Sequence, residues 1–268
     1  MSKMKQTKIL KRYFDTTAEK WHSLYSNIKR STDLNLYERK NIAISFLCNN
    51  LKRGSHILDV GCGAGAVALD AAKKGYIIYG IDISRKMVDK CNQIFIENNI
   101  EKAMYDFKVG NYPINSGPNN KLFDCIIALG FLEYQEFENK TIESFYKHLK
   151  PGGIIICSGP QRISISNFFG VSNIIRKRRV SLKCPHHQEN SYPGIHKYSL
   201  SKFKALVGLH MFKIIDYKRH GYSDIFFITK IIGVKGEFFV DRFLTKISNY
   251  LPIDKFASNI VVVAKKDN

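Results

Sequence analysis

Acidic side chains are scarce in this 268-residue chain: 23 Asp and Glu stand against 42 Lys and Arg, a formal net charge of +19. No long apolar run is present either; near the C-terminal third Ile225-Phe-Phe-Ile228 breaks at Thr229-Lys230, well short of a membrane span. The basic N-terminus (Lys3, Lys5, Lys8, Lys11, Arg12) is followed by no stretch of signal-peptide length. The six cysteines (48, 62, 91, 125, 157, 184) form no CxxC pair. That usage predicts reduced thiols and a cytoplasmic protein, with Cys125 and Cys157 buried in strands. No repeat and no low-complexity tract occurs. What remains is ordinary globular material, 44% hydrophobic and 24% charged, which excludes disordered, collagen-like and small disulfide-scaffold classes.

The positive charge is unevenly placed. Residues 1–56 carry +8, residues 57–160 carry −1, residues 161–220 carry +10 and residues 221–268 carry +2. Such a field favours anionic partners: nucleic acid, a phosphorylated substrate or an acidic membrane surface. Even drift toward Lys in an AT-rich composition would spread the excess along the whole chain.

The middle of the chain alternates strand and helix patterns. His56–Val60 reads as a strand, about Ala64–Lys74 as an Ala-rich helix, and Tyr76–Ile81 as a second strand. Ser84 is placed to cap a helix carrying Met87, Val88, Cys91, Ile94 and Phe95 at helical spacing. Strands are predicted at Met104–Val109 and Phe123–Leu129, then a helix near Glu138–Leu149 stopped by Lys150-Pro-Gly-Gly153. Ile154–Cys157 is apolar on both faces, as a central parallel strand requires. This order predicts a doubly wound α/β sheet. Around it, residues 1–50 form an N-terminal helical lid with Tyr13, Phe14, Trp21, Leu24 and Tyr25 as its apolar set, and residues 51–268 the main domain. Within that domain, 55–160 is the cofactor half, 160–197 an insertion after strand five, and 199–268 a C-terminal helix and strands.

The segment richest in chemistry is Ile57-Leu-Asp-Val-Gly-Cys-Gly-Ala-Gly-Ala66. Glycines between a strand and a helix let the backbone approach a ligand closely. The spacing also satisfies a loose dinucleotide pattern. Asp59, two residues before Gly61, would repel a diphosphate and suits a ligand with an ammonium group. Asp82, ending strand two, can accept both hydroxyls of a ribose.

Here the sequence resembles the class I S-adenosylmethionine-dependent methyltransferases, whose first motif reads much like Leu58-Asp-Val-Gly-Cys-Gly-Ala-Gly65. Gly80-Ile-Asp-Ile-Ser84 with Met87 resembles their second motif, and Phe123–Tyr134 and Leu149–Gly153 resemble two later ones, in the same order. The resemblance implies a mainly parallel seven-stranded, Rossmann-like sheet with a reversed last strand at Ile260–Ala264. It implies S-adenosylmethionine as cofactor, bound by Asp59, Gly61, Cys62, Gly63, Asp82, Ile83, Met87, Asn111, Tyr112 and Leu129. Asn111 stands where the family usually has aspartate, and Tyr134 where histidine is frequent. The N-terminal Tyr13-Phe-Asp and Lys20-Trp21 are similar to the lid of small-molecule members in quinone and tetrapyrrole pathways.

Such an enzyme needs no metal, because the sulfonium methyl is already activated. Cys184, His186, His187 and His196 lack the paired spacing of a zinc site. A base would assist an acceptor that loses a proton. His196 is the first choice, with Tyr134 and His187 as further catalytic candidates. Tyr13 and Tyr198 are additional acceptor-side residues, and Glu133 is expected near the methionine end of the cofactor. The acceptor expected is small or amphipathic, methylated on oxygen. Arg176-Lys-Arg-Arg179 and the aromatics of Phe226–Phe256 raise peripheral contact with an anionic membrane as a second expectation. RNA methylation, an NAD-dependent oxidoreductase and a non-catalytic scaffold are the alternatives.

Overall fold

The computed structural model describes residues 3–26, 28, 31–112, 121–164, 196–222, 226–248, 250 and 252–267. Two helices, α1 (Lys3–Ser26) and α2 (Ser31–Asn50), precede the sheet. The alternating core follows as β1 (His56–Val60), α3 (Ala66–Lys73), β2 (Ile77–Asp82), α4 (Arg85–Glu97), β3 (Tyr105–Val109), β4 (Phe123–Ala128), α5 (Glu138–His148) and β5 (Leu149–Pro160). The chain ends with α6 (Leu200–Gly208), β6 (Phe212–His220), α7 (Phe226–Ile247, kinked at Gly233) and β7 (Asn259–Lys266).

The seven strands lie in the order β3-β2-β1-β4-β5-β7-β6. β1 through β5 pair in parallel, and β7 runs antiparallel between β5 and β6, with Ile155 opposite Ala264 and Tyr217 opposite Val262. This is the architecture the sequence predicts, including the reversed last strand. The two-residue period of a strand sorts the core into two layers. Ile57, Cys125, Ile127, Ile156, Val261 and Val263 pack beneath α2, α3 and α4. Leu58, Val60, Ile126, Ile155, Cys157 and Val262 face the opposite way, toward α5 and α6. Cys125 and Cys157 are fully buried, as expected of strand cysteines.

Two elements begin more than one residue away from where the sequence pattern places them. α3 begins at Ala66, because Gly65 holds a left-handed φ of 80° and still belongs to the turn. β5 begins at Leu149, directly after α5, so Lys150-Pro-Gly-Gly lies inside the strand. Leu149 already pairs with Phe123, and Lys150 Nζ is held by Asp124 Oδ1 at 2.8 Å, which keeps that stretch extended through a register shift. β6 has β7 beside it to its end, where Asn259 pairs with His220.

The chain leaves β1 toward β2 and β3, then returns to place β4 on β1's other side. A crevice opens at the carboxyl ends of strands at such a switch point. Every candidate cofactor residue lies at or near one of those ends. The predicted insertion falls largely on residues 165–195, outside the described residues.

Candidate functional site

The crevice is a cleft of about 1120 Å³, counting space open to solvent, floored by the glycine turn and walled by α1, α2, α4 and the loop after β4. Gly63 takes a φ of +53°, a conformation that suits glycine. Its amide donates to Asp82 Oδ2 at 2.9 Å, and the Ser84 amide donates to Oδ1 at 2.9 Å. The carboxylate at the end of β2 is thereby fixed in orientation with acceptor capacity remaining. Burial raises the Asp82 pKa, and these amide donors work against that rise.

Asp59 also lines the cleft, 4% exposed, and its Oδ2 has no hydrogen-bond partner. Burial, then the nearby Asp82 carboxylate, pushes its pKa up to about 7. A buried carboxylate with an open oxygen is ready for a cationic ligand, such as an amino acid's ammonium. The folded protein keeps a proton that the unfolded chain releases near the ordinary Asp value, so stability falls as pH rises from about 4 to 7. Asp59→Asn is therefore expected to gain on the order of 4 kcal/mol over wild type at pH 8 in the ligand-free state, and close to nothing at pH 4. Denaturant melts at the two pH values check this, and a pH-independent difference contradicts it.

Gly61, Cys62, Ile83 and Met87 line the cleft as well. Cys62 shares a hydrogen bond with Cys91, which with burial raises its pKa and keeps it a neutral packing thiol. Asn111 and Leu129 sit on the wall, Asn111 exposed. Tyr112 reaches the cleft, but its hydroxyl accepts from Ser144 Oγ at 3.1 Å and its ring packs on Phe145, so it braces the wall from within.

Helix α1 closes one side. Ser84 Oγ accepts from the Met87 amide at 3.1 Å, the cap expected from sequence, and donates to Asp15 Oδ1 of α1 at 2.6 Å. Ala18 packs on Ala64 and Met87 beside Phe14 and Trp21. Phe14 meets Tyr134 edge-on, with centroids 6.1 Å apart, so α1 touches the loop after β4. Tyr13 is on the outer side, 38% exposed.

The sequence singles out Glu133, as a loop residue near the methionine end rather than a catalytic one, but not Arg39; both charged residues belong to the cleft. Arg39 of α2 lines it, with Nη2 donating to Tyr25 at 3.2 Å and Nε buried without a partner. Burial lowers its pKa, but Tyr25 and Glu133 more than offset this and leave it raised, so the guanidinium stays charged. It is suited to a carboxylate, the other charged group of an amino acid. No motif marks it among the 12 basic residues of the first 56. Glu133 is 7% exposed in the cleft wall, with Oε2 unpartnered. Burial pushes its pKa up to about 7 against the pull of Arg39.

His196 does not line the cleft. Its ring Nε2 donates to the Gln135 carbonyl at 2.9 Å, its backbone amide donates to the Glu133 carbonyl at 3.1 Å, and its Nδ1 stands 3.7 Å from Glu138. The residue braces the loop that carries Glu133 and Tyr134. Tyr198 is buried beneath the end of β5, stacked on Phe203. His186 and His187 lie outside the described residues. Among the described residues no group of three His, Cys, Asp or Glu could hold a metal ion.

A glycine turn at the switch point, a fixed carboxylate closing β2 and a reversed β7 together define a class I methyltransferase-type domain. The chain belongs to the methyltransferase-domain family, whose sequence profile matches residues 51–202, more than half of its length. It is similar to the ubiquinone biosynthesis O-methyltransferases of Rickettsia typhi, 33% identical over 118 residues, and of Alkalilimnicola ehrlichii, 28% over 158. These alignments cover 43% and 59% of this chain, and the chain spans 45% and 62% of those two relatives. The fold is shared with magnesium protoporphyrin IX methyltransferase (ChlM) from Synechocystis with bound SAH, at a TM-score of 0.66 and 16% identity, over 97% of this chain and 99% of that one. It is shared too with the [4+2]-cyclase SpnF, at a TM-score of 0.55 and 18% identity, over 83% and 80%.

S-adenosylmethionine is the cofactor of this class, and the cleft fits it on three counts. Asp82 suits the ribose hydroxyls, while Asp59 and Arg39, each with an unpartnered buried atom, suit the ammonium and carboxylate of the methionine end. Met87 and Ile83 supply the apolar flank that an adenine ring requires.

Proposed function

We propose that this protein transfers the methyl group of S-adenosylmethionine to an oxygen of a small or amphipathic acceptor. When bound, the cofactor supplies an activated methyl on a sulfonium. The task left to the protein is alignment and exclusion of water. Phe14 and Trp21 of the lid, with Phe131 and Tyr134 opposite, give the acceptor side an aromatic lining. The observation that carries the reading of an oxygen acceptor is Glu133, a buried carboxylate in that wall whose Oε2 has no hydrogen-bond partner and whose pKa burial pushes up to about 7. A hydroxyl that becomes an ether oxygen must lose its proton, and such a carboxylate accepts one near neutral pH. The ubiquinone O-methyltransferase relatives and the ChlM neighbour support a small or amphipathic acceptor.

The test is incubation with methyl-labelled S-adenosylmethionine and a cell extract, followed by solvent partition. Label is expected in the organic-extractable small-molecule fraction. Label in the RNA fraction would contradict this reading and favour RNA methylation, which the net charge of +19 also accommodates.

A further inference from the structure

The connection between β6 and β7 carries α7, whose residues divide cleanly between two faces. Asp241 is fully buried, and its Oδ1 accepts from the Tyr222 amide at 2.6 Å, so one face is tied to the end of β6. At 100° per residue, Lys235, Phe239, Arg242, Phe243 and Lys246 fall on the opposite side, and Tyr250 just beyond the helix continues the stripe. All six are exposed, Phe239 by 71%, Phe243 by 53% and Tyr250 by 81%. The Phe239 and Phe243 rings stack with planes 9° apart, their faces left to solvent.

We infer that this face of α7 docks the protein on an anionic lipid surface. Three observations select that occupant. Lys235, Arg242 and Lys246 alternate with large rings, the pattern of a helix lying in a membrane interface. The acidic groups described nearby are turned away, Asp241 toward β6 and Asp254 onto Arg219. The net charge of +19 adds long-range attraction to anionic headgroups. The stripe is a convex helix surface, whereas single-stranded nucleic acid is usually held in a groove. His220, ending β6, faces Glu38 of α2 at 3.7 Å, and the next residue on α2 is Arg39 of the cleft. The inference stands on the surface itself and holds whichever acceptor the cleft takes.

The test is flotation of the full chain with phosphatidylcholine vesicles, with and without about 30 mol % phosphatidylglycerol. Wild type is expected to float with the anionic vesicles and to be released by about 0.5 M salt, where screening is short-ranged. F239S/F243S, changing two exposed rings, should lose at least about tenfold in vesicle affinity. Its S-adenosylhomocysteine binding should remain at the wild-type level, which separates loss of docking from damage to the cleft. Three outcomes would overturn the inference. Wild type could fail to float, the double variant could float as well as wild type, or the double substitution could instead abolish self-association or tRNA retention with no effect on vesicles.

Discussion

Asp82→Ala is expected to weaken S-adenosylhomocysteine binding by at least tenfold. The carboxylate would accept from the ribose hydroxyls, and charge-assisted hydrogen bonds are each worth about 1.5–3 kcal/mol. It also receives the Gly63 and Ser84 amides at 2.9 Å, so its loss removes the group that orders the glycine turn as well as the one that would meet the ribose. Asp82→Asn should do little better. Its amide can present only one acceptor oxygen, and its NH2 would oppose one of the two backbone donors. Calorimetric titration of both variants measures the effect, and wild-type affinity in either would take Asp82 out of the ribose role.

Glu133→Gln should lower methyl transfer by about 10²–10⁴-fold, the range for loss of a positioned base. The wild-type rate should rise with pH through a midpoint near 7, because Glu133 accepts a proton only when ionised and its pKa is pushed up to about 7. In the Gln variant that rising limb should vanish. Titration of the Glu133 carboxyl by carbon NMR gives the same midpoint independently of turnover. His196→Gln, altering a residue that braces the loop through the Gln135 carbonyl, should cost less than about tenfold and leave the limb in place. A pH-independent wild-type rate would remove the base role from Glu133.

Much of this site is written in short-range pattern. The strand at His56–Val60, the glycines at 61, 63 and 65, the acidic end of β2 and the Ser84 cap are local features, and each appears in the structure where the pattern places it. Arg39 and Glu133 were harder to read. What makes them special is burial and missing partners, and both arise from α2 meeting the loop after β4 across about 90 residues of sequence. His196 is chemically apt because histidine near a helix start is versatile, yet it does not line the cleft, and its ring faces the Gln135 carbonyl and the Glu138 carboxylate. The two faces of α7 were hidden for a different reason. Large apolar residues occur on both sides of its sequence, and the bond from the Tyr222 amide to Asp241, a contact across 19 residues, marks the side that turns inward.

The central claim is that the cleft is built for S-adenosylmethionine. Calorimetric titration with S-adenosylhomocysteine, with NAD run on the same preparation, tests it most directly. The account predicts binding of the first in the micromolar range and no heat from the second. Binding of NAD alone, or of neither, would contradict it: Asp59 and Arg39 would then serve some other ligand, or none.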